Sequence, residues 1–168
     1  MPDSAKDSVQ PKPLLEGICV GVSDGDSIHM ELPHGERVRV RLYGIDAPEK
    51  DQDFALQARR KLGRLIYNKQ IRVEVVDIDK YGRYVGKVYA GARYVNRFML
   101  KEGLAWLYRH YADHDELLAE AESRAKAAGR GLWAADSLCR PRLFRSSKRR
   151  KGHGEDIRTG ANEIQRLV

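Results

Sequence analysis

The order of strand and helix patterns along the sequence predicts an α+β fold, namely a five-stranded Greek-key barrel of the OB type with three helices. Two observations lead to this prediction. Three short strand patterns precede the first helical pattern, and two more strand patterns follow it. Two further helical patterns then complete the predicted domain. A helix between the third and the fourth of five short strands is the layout of an OB-type barrel.

The first two strands are predicted to form a hairpin. Residues 15–22 (LEGICVGV) and 27–32 (SIHMEL) are apolar runs with β-branched residues, as expected of strands. Residues 24–26 (DGD) lie between them, and Asp-Gly between two apolar runs is a strong hairpin signal.

The third strand is predicted from residues 37–42 (RVRVRL), which alternate basic and apolar side chains. This alternation is typical of a strand with one face on a core and the other toward solvent or a ligand. Pro48 cannot continue a sheet ladder and Gly44 tolerates sharp bends, so we expect the strand to end near Ile45.

A helical pattern follows from residue 53. Asp51 or Asp53 could cap its start, and Asn68 lies near its end. The apolar residues that recur at helical spacing are Phe54, Ala58, Leu62, Leu65 and Ile66.

Alternation returns at residues 71–78 and 83–89, which predict the fourth and fifth strands on either side of a Tyr-Gly turn. Residues 95–101 predict a short helix that is closed by Gly103.

The last helix is predicted to begin at Asp113, which forms a capping-box pattern with Glu116. Gly129 or Gly131 is expected to end it. Its apolar positions follow at steps of four: Leu117, Ala121 and Ala125.

The composition indicates one globular domain with an uneven charge. A chain of 168 residues suits one domain and a tail rather than two domains. The net charge is +7, and residues 140–168 contain nine Lys or Arg against three Asp or Glu. We therefore expect a disordered lead-in at residues 1–13, a barrel domain at residues 14–139 and a basic tail at residues 140–168. That tail is either a solvated segment or a nonspecific contact with phosphates.

Cysteine content and hydropathy bear on the compartment. Cys19 and Cys139 could pair in an oxidising compartment or remain as small apolar residues in a reducing one. No apolar run is long enough to span a membrane, so no membrane partner is expected. Residues 1–13 lack the apolar middle of a signal peptide. The chain is expected to be cytoplasmic, or secreted or periplasmic if a precursor was trimmed.

Three separate segments place charged groups at turns or strand ends: residues 24–26 (DGD), 41–49 (RLYGIDAPE) and 79–83 (DKYGR). Each alone has an ordinary explanation as a hairpin or a solvated strand residue. Together, in this order on a barrel pattern, they would gather carboxylates and guanidinium groups, which suits a site that handles phosphate with a metal.

This set of segments resembles the staphylococcal (micrococcal) nuclease family, whose members are also called thermonuclease-like nucleases. The resemblance covers about residues 15–145 and implies the same OB-type barrel. The matching pieces are residues 22–27 (VSDGDS), 41–49, 79–83, 95–96 (VN), 102–105 (EGLA) and 131–133 (GLW).

The resemblance implies a Ca²⁺ site formed by the carboxylates of Asp26 and Asp46 and by the backbone carbonyl of Ala47. Calcium takes oxygen ligands in flexible geometry, whereas zinc would prefer His or Cys. The type member of the family has Thr at the position of Ala47. Because the family uses the carbonyl of this residue, the substitution leaves the implied site intact.

The resemblance also implies that Glu49 is the general base for a water that attacks phosphorus, and that Arg41 and Arg83 bind the phosphate. The implied reaction is low-specificity cleavage of the 5′ P–O bond in DNA and RNA, which leaves 3′-phosphate ends. Tyr81 and Tyr111 would lie beside the bases, which suits single strands. We expect a monomer.

Two other functions remain open on the sequence alone. One is a noncatalytic nucleic-acid-binding OB barrel, and the other is a calcium-binding structural domain. The presence of both aspartates, both arginines and the glutamate favours the enzyme. The connection from Glu49 to the first helix is short, so the loop that positions the base would be stiffer or differently aimed.

Overall fold

The computed structural model describes residues 12–112 and 114–134, and its strands and helices follow the predicted order. The strands are β1 (Leu14–Asp24), β2 (Ser27–Glu31), β3 (Arg37–Leu42), β4 (Ile45–Asp46), β5 (Gln70–Ile78), β6 (Tyr84–Ala90), β7 (Arg93–Tyr94) and β8 (Trp106–Leu107). The α-helices are α1 (Ala55–Ile66), α2 (Val95–Lys101), α3 (Arg109–Ala112) and α4 (Glu116–Ala127), and a 3₁₀ helix spans Gly131–Ala134.

Five of these strands close into a barrel. Their neighbours run in the order β3-β2-β1-β5-β6, and a parallel pairing of β3 with β6 closes the ring. Val40 lies opposite Tyr84 in that pairing, and Asp24 lies opposite Ser27 in the β1–β2 hairpin. The α+β class, the OB-type barrel and the hairpin are therefore confirmed.

Alternating burial explains why these segments form the barrel. In β3, Val38, Val40 and Leu42 point into the core, while Arg37 and Arg39 are exposed. Helix α1 covers the barrel with one apolar face, formed by Ala55, Ala58, Leu62 and Ile66.

The end of β3 differs from the prediction. β3 ends at Leu42 rather than near Ile45, because Gly44 adopts the left-handed conformation with φ of +74° and turns the chain. The next two residues, Ile45 and Asp46, then form β4 in a separate sheet with β8. Asp46 is thus fixed by a different sheet from Arg41.

The start of α1 corrects a second prediction. Neither Asp51 nor Asp53 caps the helix; Phe54 occupies the N-cap position at φ of +66°, without a side-chain cap. The ring of Phe54 packs against the hydrophobic core, so burial has overridden the local capping preference. Asn68 follows the helix in the left-handed conformation.

The C-terminal helices also differ in number and in their bounds. α4 begins at Glu116, and the side chain of Asp115 caps it by accepting a hydrogen bond from the N–H of Leu118. The predicted cap Asp113 lies outside the described residues. α3 is a one-turn helix that the sequence did not predict, so four α-helices are described instead of three. Gly129, at φ of +60°, follows the end of α4.

The structure also bears on the expectations about membrane spans and about the two cysteines. No helix among residues 12–112 and 114–134 is long and apolar enough to cross a membrane. Cys19 is fully buried in the barrel core, whereas Cys139 lies outside the described residues.

Candidate active site

Arg41 lies between two buried carboxylates that come from different elements. Its Nη1 atom is 2.7 Å from Asp26 Oδ2, and its Nη2 atom donates a hydrogen bond of 3.2 Å to Asp46 Oδ1. Asp26 belongs to the β1–β2 turn and Asp46 to β4, and their exposed fractions are 7% and 9%. The structure therefore brings three of the predicted site residues together.

The Asp26 carboxylate is held by two further donors. Ser27 Oγ donates to Asp26 Oδ1 over 3.1 Å, and the N–H of Ala47 donates to Asp26 Oδ2 over 2.7 Å. Ala47, predicted to contribute its carbonyl, is thus tied to Asp26 through its amide. Gly25 is required beside this contact, because a Cβ there would lie 2.8 Å from the Cβ atoms of both Ala47 and Ala58.

A third carboxyl group, that of Asp24, lies beside Asp26 and was not part of the predicted site. Asp24 Oδ1 accepts a hydrogen bond from the N–H of Asp26. Burial and the nearby charge of Asp26 raise the pKa of Asp24 to about 7. Burial lowers the pKa of Arg41, but the negative charges of Asp26, Asp46 and Asp24 raise it by more. The pKa of Arg41 therefore lies above its ordinary value. The guanidinium is therefore permanently charged.

One nitrogen of Arg41 retains capacity for an anion. The contact between Nη1 and Asp26 is an ion pair without hydrogen-bond geometry, and among the described residues this buried Nη1 has no hydrogen-bond acceptor. A buried donor in that state favours an acceptor oxygen from a ligand.

Arg83 is oriented by Asp79, which precedes the turn between β5 and β6. Arg83 Nε donates to Asp79 Oδ2 over 2.7 Å. Asp79 Oδ1 accepts hydrogen bonds from the backbone N–H groups of Tyr81 and Arg83. Burial raises the pKa of Asp79, but the hydrogen bonds from Arg83 and Tyr81 lower it more, so its pKa lies below the ordinary value. Asp79 therefore acts as a positioning residue for Arg83.

The two arginines share one cavity of about 400 Å³. Tyr81, with an exposed fraction of 60%, stands at this cavity with the Arg83 guanidinium 5.5 Å from its ring centroid. Tyr111 also lines the cavity. The polar and aromatic lining residues are Arg41, Asp46, Asp77, Asp79, Lys80, Tyr81, Arg83, Tyr108 and Tyr111. A cleft with two guanidinium groups and several aromatic rings can accept a phosphate flanked by flat groups.

Glu49 is not one of the residues that line this cavity. It lies three residues beyond Asp46 and is half-buried. Its N–H donates to Gln52 Oε1, and its carbonyl accepts the N–H of Gln52, both over 2.8 Å. Gln52 therefore closes the short connection before α1 into a turn, through its side chain and its backbone N–H.

The donor set at Asp26 and Asp46 is oxygen-only. Within residues 12–112 and 114–134, no group of three or more His, Cys, Asp or Glu side chains is arranged to hold a metal ion. Nevertheless, the two buried carboxylates of Asp26 and Asp46 share only one guanidinium, that of Arg41. The chemistry of these donors fits a hard cation that completes its shell with waters better than it fits zinc.

Asp24, Asp79 and Tyr108 are the site residues that sequence reasoning missed. Asp24 and Asp79 stood inside the charged segments noted above, but nothing in the residue order distinguished a positioning carboxylate from a turn former. Tyr108 had no sequence signal beyond its aromatic ring.

The sequence of this chain is similar to those of several known proteins. The model of the family described as staphylococcal nuclease homologue matches residues 39–135. A protein of Shigella flexneri named "Micrococcal nuclease" is 35% identical over 145 residues, which cover 80% of this chain and 83% of that protein. An "Uncharacterized endonuclease" of Haemophilus influenzae is 35% identical over 130 residues, covering 77% of this chain and 72% of that protein.

A plant relative shows the same region inside a longer protein. A "Probable staphylococcal-like nuclease" of Oryza sativa subsp. japonica is 40% identical over 139 residues. The match covers 80% of this chain but only 42% of the rice protein.

Proposed function

Because the chain belongs to the staphylococcal nuclease family, we propose that it is a calcium-dependent phosphodiesterase of low sequence specificity that hydrolyses DNA and RNA. Membership of a nuclease family supports nucleic acid as the substrate. The observation that carries the proposal is the pair of arginines, Arg41 and Arg83, on one cavity beside the carboxylates of Asp26 and Asp46.

The arginines are assigned to the phosphate. Arg41 and Arg83 each present a planar, permanently charged fork, which matches the oxygens of a phosphodiester. Negative charge builds on those oxygens as water attacks, and fixed guanidinium groups stabilise it without reorganising. The Nη1 of Arg41 has no hydrogen-bond acceptor among the described residues beyond its ion pair with Asp26, which supports this assignment.

The residues proposed to hold calcium are Asp26 and Asp46, through their carboxylates, and Ala47, through its carbonyl. When bound, the ion would neutralise phosphate charge as a Lewis acid. Two buried carboxylates, Asp26 and Asp46, face the single guanidinium of Arg41, and this excess of negative charge supports a cation at this position.

Glu49 is assigned as the general base. Its carboxylate would accept a proton from the attacking water while the bond between phosphorus and O5′ breaks. O5′ takes a proton from solvent, so the products are a 3′-phosphate and a 5′-hydroxyl. The position of Glu49, in a turn three residues beyond Asp46, supports this assignment.

The aromatic residues are assigned to the bases. Tyr81 and Tyr111 offer faces on which unstacked bases can stack without regard to sequence, so we propose a preference for single strands. We propose that the protein acts as a monomer, since the arginines and carboxylates of the site all come from one chain.

The test is digestion of denatured DNA in the presence of calcium, of magnesium, and of chelator. Asp26→Ala is the variant, and Asp53→Ala, at an exposed position before α1, is the matched control. We expect cleavage with calcium, its loss in Asp26→Ala and its retention in Asp53→Ala. Cleavage that persists in chelator would overturn the calcium assignment.

One observation favours the second candidate, a noncatalytic nucleic-acid-binding barrel: Glu49 does not line the cavity. Retained binding of single-stranded DNA without cleavage under any of these conditions would support that function instead.

A further inference from the structure

A second groove, here called the α1 groove, lies between α1 and the β1–β2 hairpin and encloses about 880 Å³. Its charged and aromatic lining residues are Arg59, Arg60, Arg64, Tyr67 and His29. None of the described residues that line it is acidic. A groove of three guanidinium groups without a carboxylate favours a polyanion.

The exposed side chains of the α1 groove form a stripe along one helix face. Leu56, Arg60, Arg64 and Tyr67 follow one another at spacings of four, four and three residues, which places them in a row about 16 Å long. Leu56 and Tyr67, at the two ends, keep exposed fractions of 52% and 59%. A row of cations that ends in an exposed aromatic ring is suited to a strand with alternating phosphates and bases.

Two glycines keep the groove open. Gly63 lies inside α1, where glycine disfavours the helix, and a Cβ built on it would have no heavy atom within 4 Å. Gly21, on β1, would bring a Cβ no closer than 3.5 Å to His29. Packing therefore requires neither glycine, whereas a ligand backbone that approaches closely would benefit from both.

The α1 groove adjoins the turn that contains Asp26, although the groove and the cavity of the candidate site share no lining residue. The turn that contains Asp26 packs on α1 through Gly25, whose Cβ would lie 2.8 Å from that of Ala58. The next helix residue, Arg59, donates from Nε to the carbonyl of Val22, which lies two residues before Asp24. These two contacts place the groove directly beside the turn that carries Asp26.

We propose that the α1 groove binds the sugar–phosphate backbone of the nucleic acid beyond the cleaved position. Arg59, Arg60 and Arg64 contact successive phosphates, and Tyr67 stacks on a base. This inference rests on the proposed function for its substrate, but its first test measures binding and needs no catalysis.

The binding test uses a fluorescent single-stranded oligodeoxynucleotide of about 30 nucleotides, longer than the ~4–16 nucleotides that one OB fold covers. Anisotropy is measured in chelator over a range of salt. The variant is Arg59→Gln/Arg60→Gln/Arg64→Gln, in which glutamine preserves helix propensity. The control is Arg93→Gln/Arg97→Gln/Lys101→Gln, which removes equal charge from a groove on the other side of α1.

We expect the first variant to weaken binding on the order of tenfold and to reduce the salt slope by about 2, because each phosphate contact to a single strand contributes about 0.7. The control should change both quantities less. Equal effects of the two variants, or no effect of the first, would overturn the α1 groove as the binding surface.

A cleavage test separates this inference from the proposed function. A dinucleotide is too short to reach the groove, so the first variant should cleave it like the wild type while cleaving the long strand more slowly. If the wild type cleaves neither substrate, the proposed function fails and the binding result still decides the groove. An equal loss on both substrates would overturn the inference.

Gly63→Ala gives a readout that simple destabilisation cannot produce. The added methyl group should raise the Tm by about 2–4 °C, because alanine favours a helix over glycine. The same methyl group should weaken binding of the long oligonucleotide by narrowing the groove. Gln57→Ala, exposed on α1 outside the groove, is the control and should leave binding unchanged. Unchanged binding by Gly63→Ala would contradict the close approach of a ligand backbone.

Discussion

Arg41 is the residue on which the candidate site depends most, because it contacts both Asp26 and Asp46. Arg41→Lys replaces a planar fork with a point charge that cannot serve both carboxylates and a phosphate. We expect kcat/KM on single-stranded DNA to fall about 10²–10³-fold. Arg37→Lys, four residues earlier and paired with Glu31 at the surface, should retain activity. Equal activity of the two variants would show that the guanidinium geometry does not matter.

Glu49→Gln tests the proposed base. The amide cannot accept a proton, so we expect kcat to fall about 10²–10⁴-fold with little change in the Kd for DNA. Single-turnover cleavage and anisotropy measure the two quantities. Glu36→Gln, in the exposed turn before β3, is the matched control. Unchanged turnover in Glu49→Gln would show that another group or a solvent water takes the proton.

The sequence predicted residues that the structure brings together at the candidate site, but not the residues that support them. Arg41, Asp46 and Arg83 stood out because charged groups at strand ends are uncommon in combination. Asp79 could not be recognised, since its role depends on the turn that points it at Arg83 and at two backbone N–H groups. The hydrogen bond from the N–H of Ala47 to Asp26 likewise depends on tertiary structure.

At the scale of elements, Gly44 decides where β3 stops and β4 begins. Gly44→Ala would place an alanine in the left-handed conformation, which should lower the free energy of unfolding by about 1–2 kcal/mol. Its Cβ would also lie 2.6 Å from Leu118 Cδ1, and such overpacking costs about 1–3 kcal/mol more. Gly35→Ala has a similar φ but open space around it, so it should show the conformational cost alone. Urea unfolding measures both variants, and equal losses would contradict the packing argument.

Strands and helices were predicted where periodicity is long, and missed where it is short. The barrel strands have six or more alternating residues or lie in a hairpin, whereas β4 and β8 have two residues each and leave no pattern. The start of α1 was misassigned because Phe54 is held by core packing rather than by a cap. Asn96 illustrates the same limit, since its buried side-chain amide forms hydrogen bonds with the backbone of Val88 and Gly86 in β6 and of Tyr43 in the turn after β3.

At the scale of the whole molecule, most of the net positive charge falls in residues 140–168. The net charge is +7, and residues 140–168 carry nine of the basic and three of the acidic residues. Removing residues 140–168 should weaken DNA binding and flatten its salt dependence while leaving cleavage intact. Removing residues 1–11, which contain one Lys and two Asp, is the control and should change neither quantity. Loss of cooperative thermal unfolding on the first truncation would show that the segment belongs to the fold.

The parallel pairing of β3 with β6, here called the seam, affects when during synthesis the protein can become active. Arg41 lies on β3 opposite Val85, and Arg83 immediately precedes β6, so this seam helps to bring the two arginines onto one cavity. The seam joins segments about 40 residues apart, and contacts of such separation form late because loop closure precedes them. A growing chain on the ribosome that ends before β6 therefore lacks the seam between β3 and β6 that lies beside the two arginines. A protein that cleaves RNA, as we propose, would thus be harmless to its own message until the barrel closes.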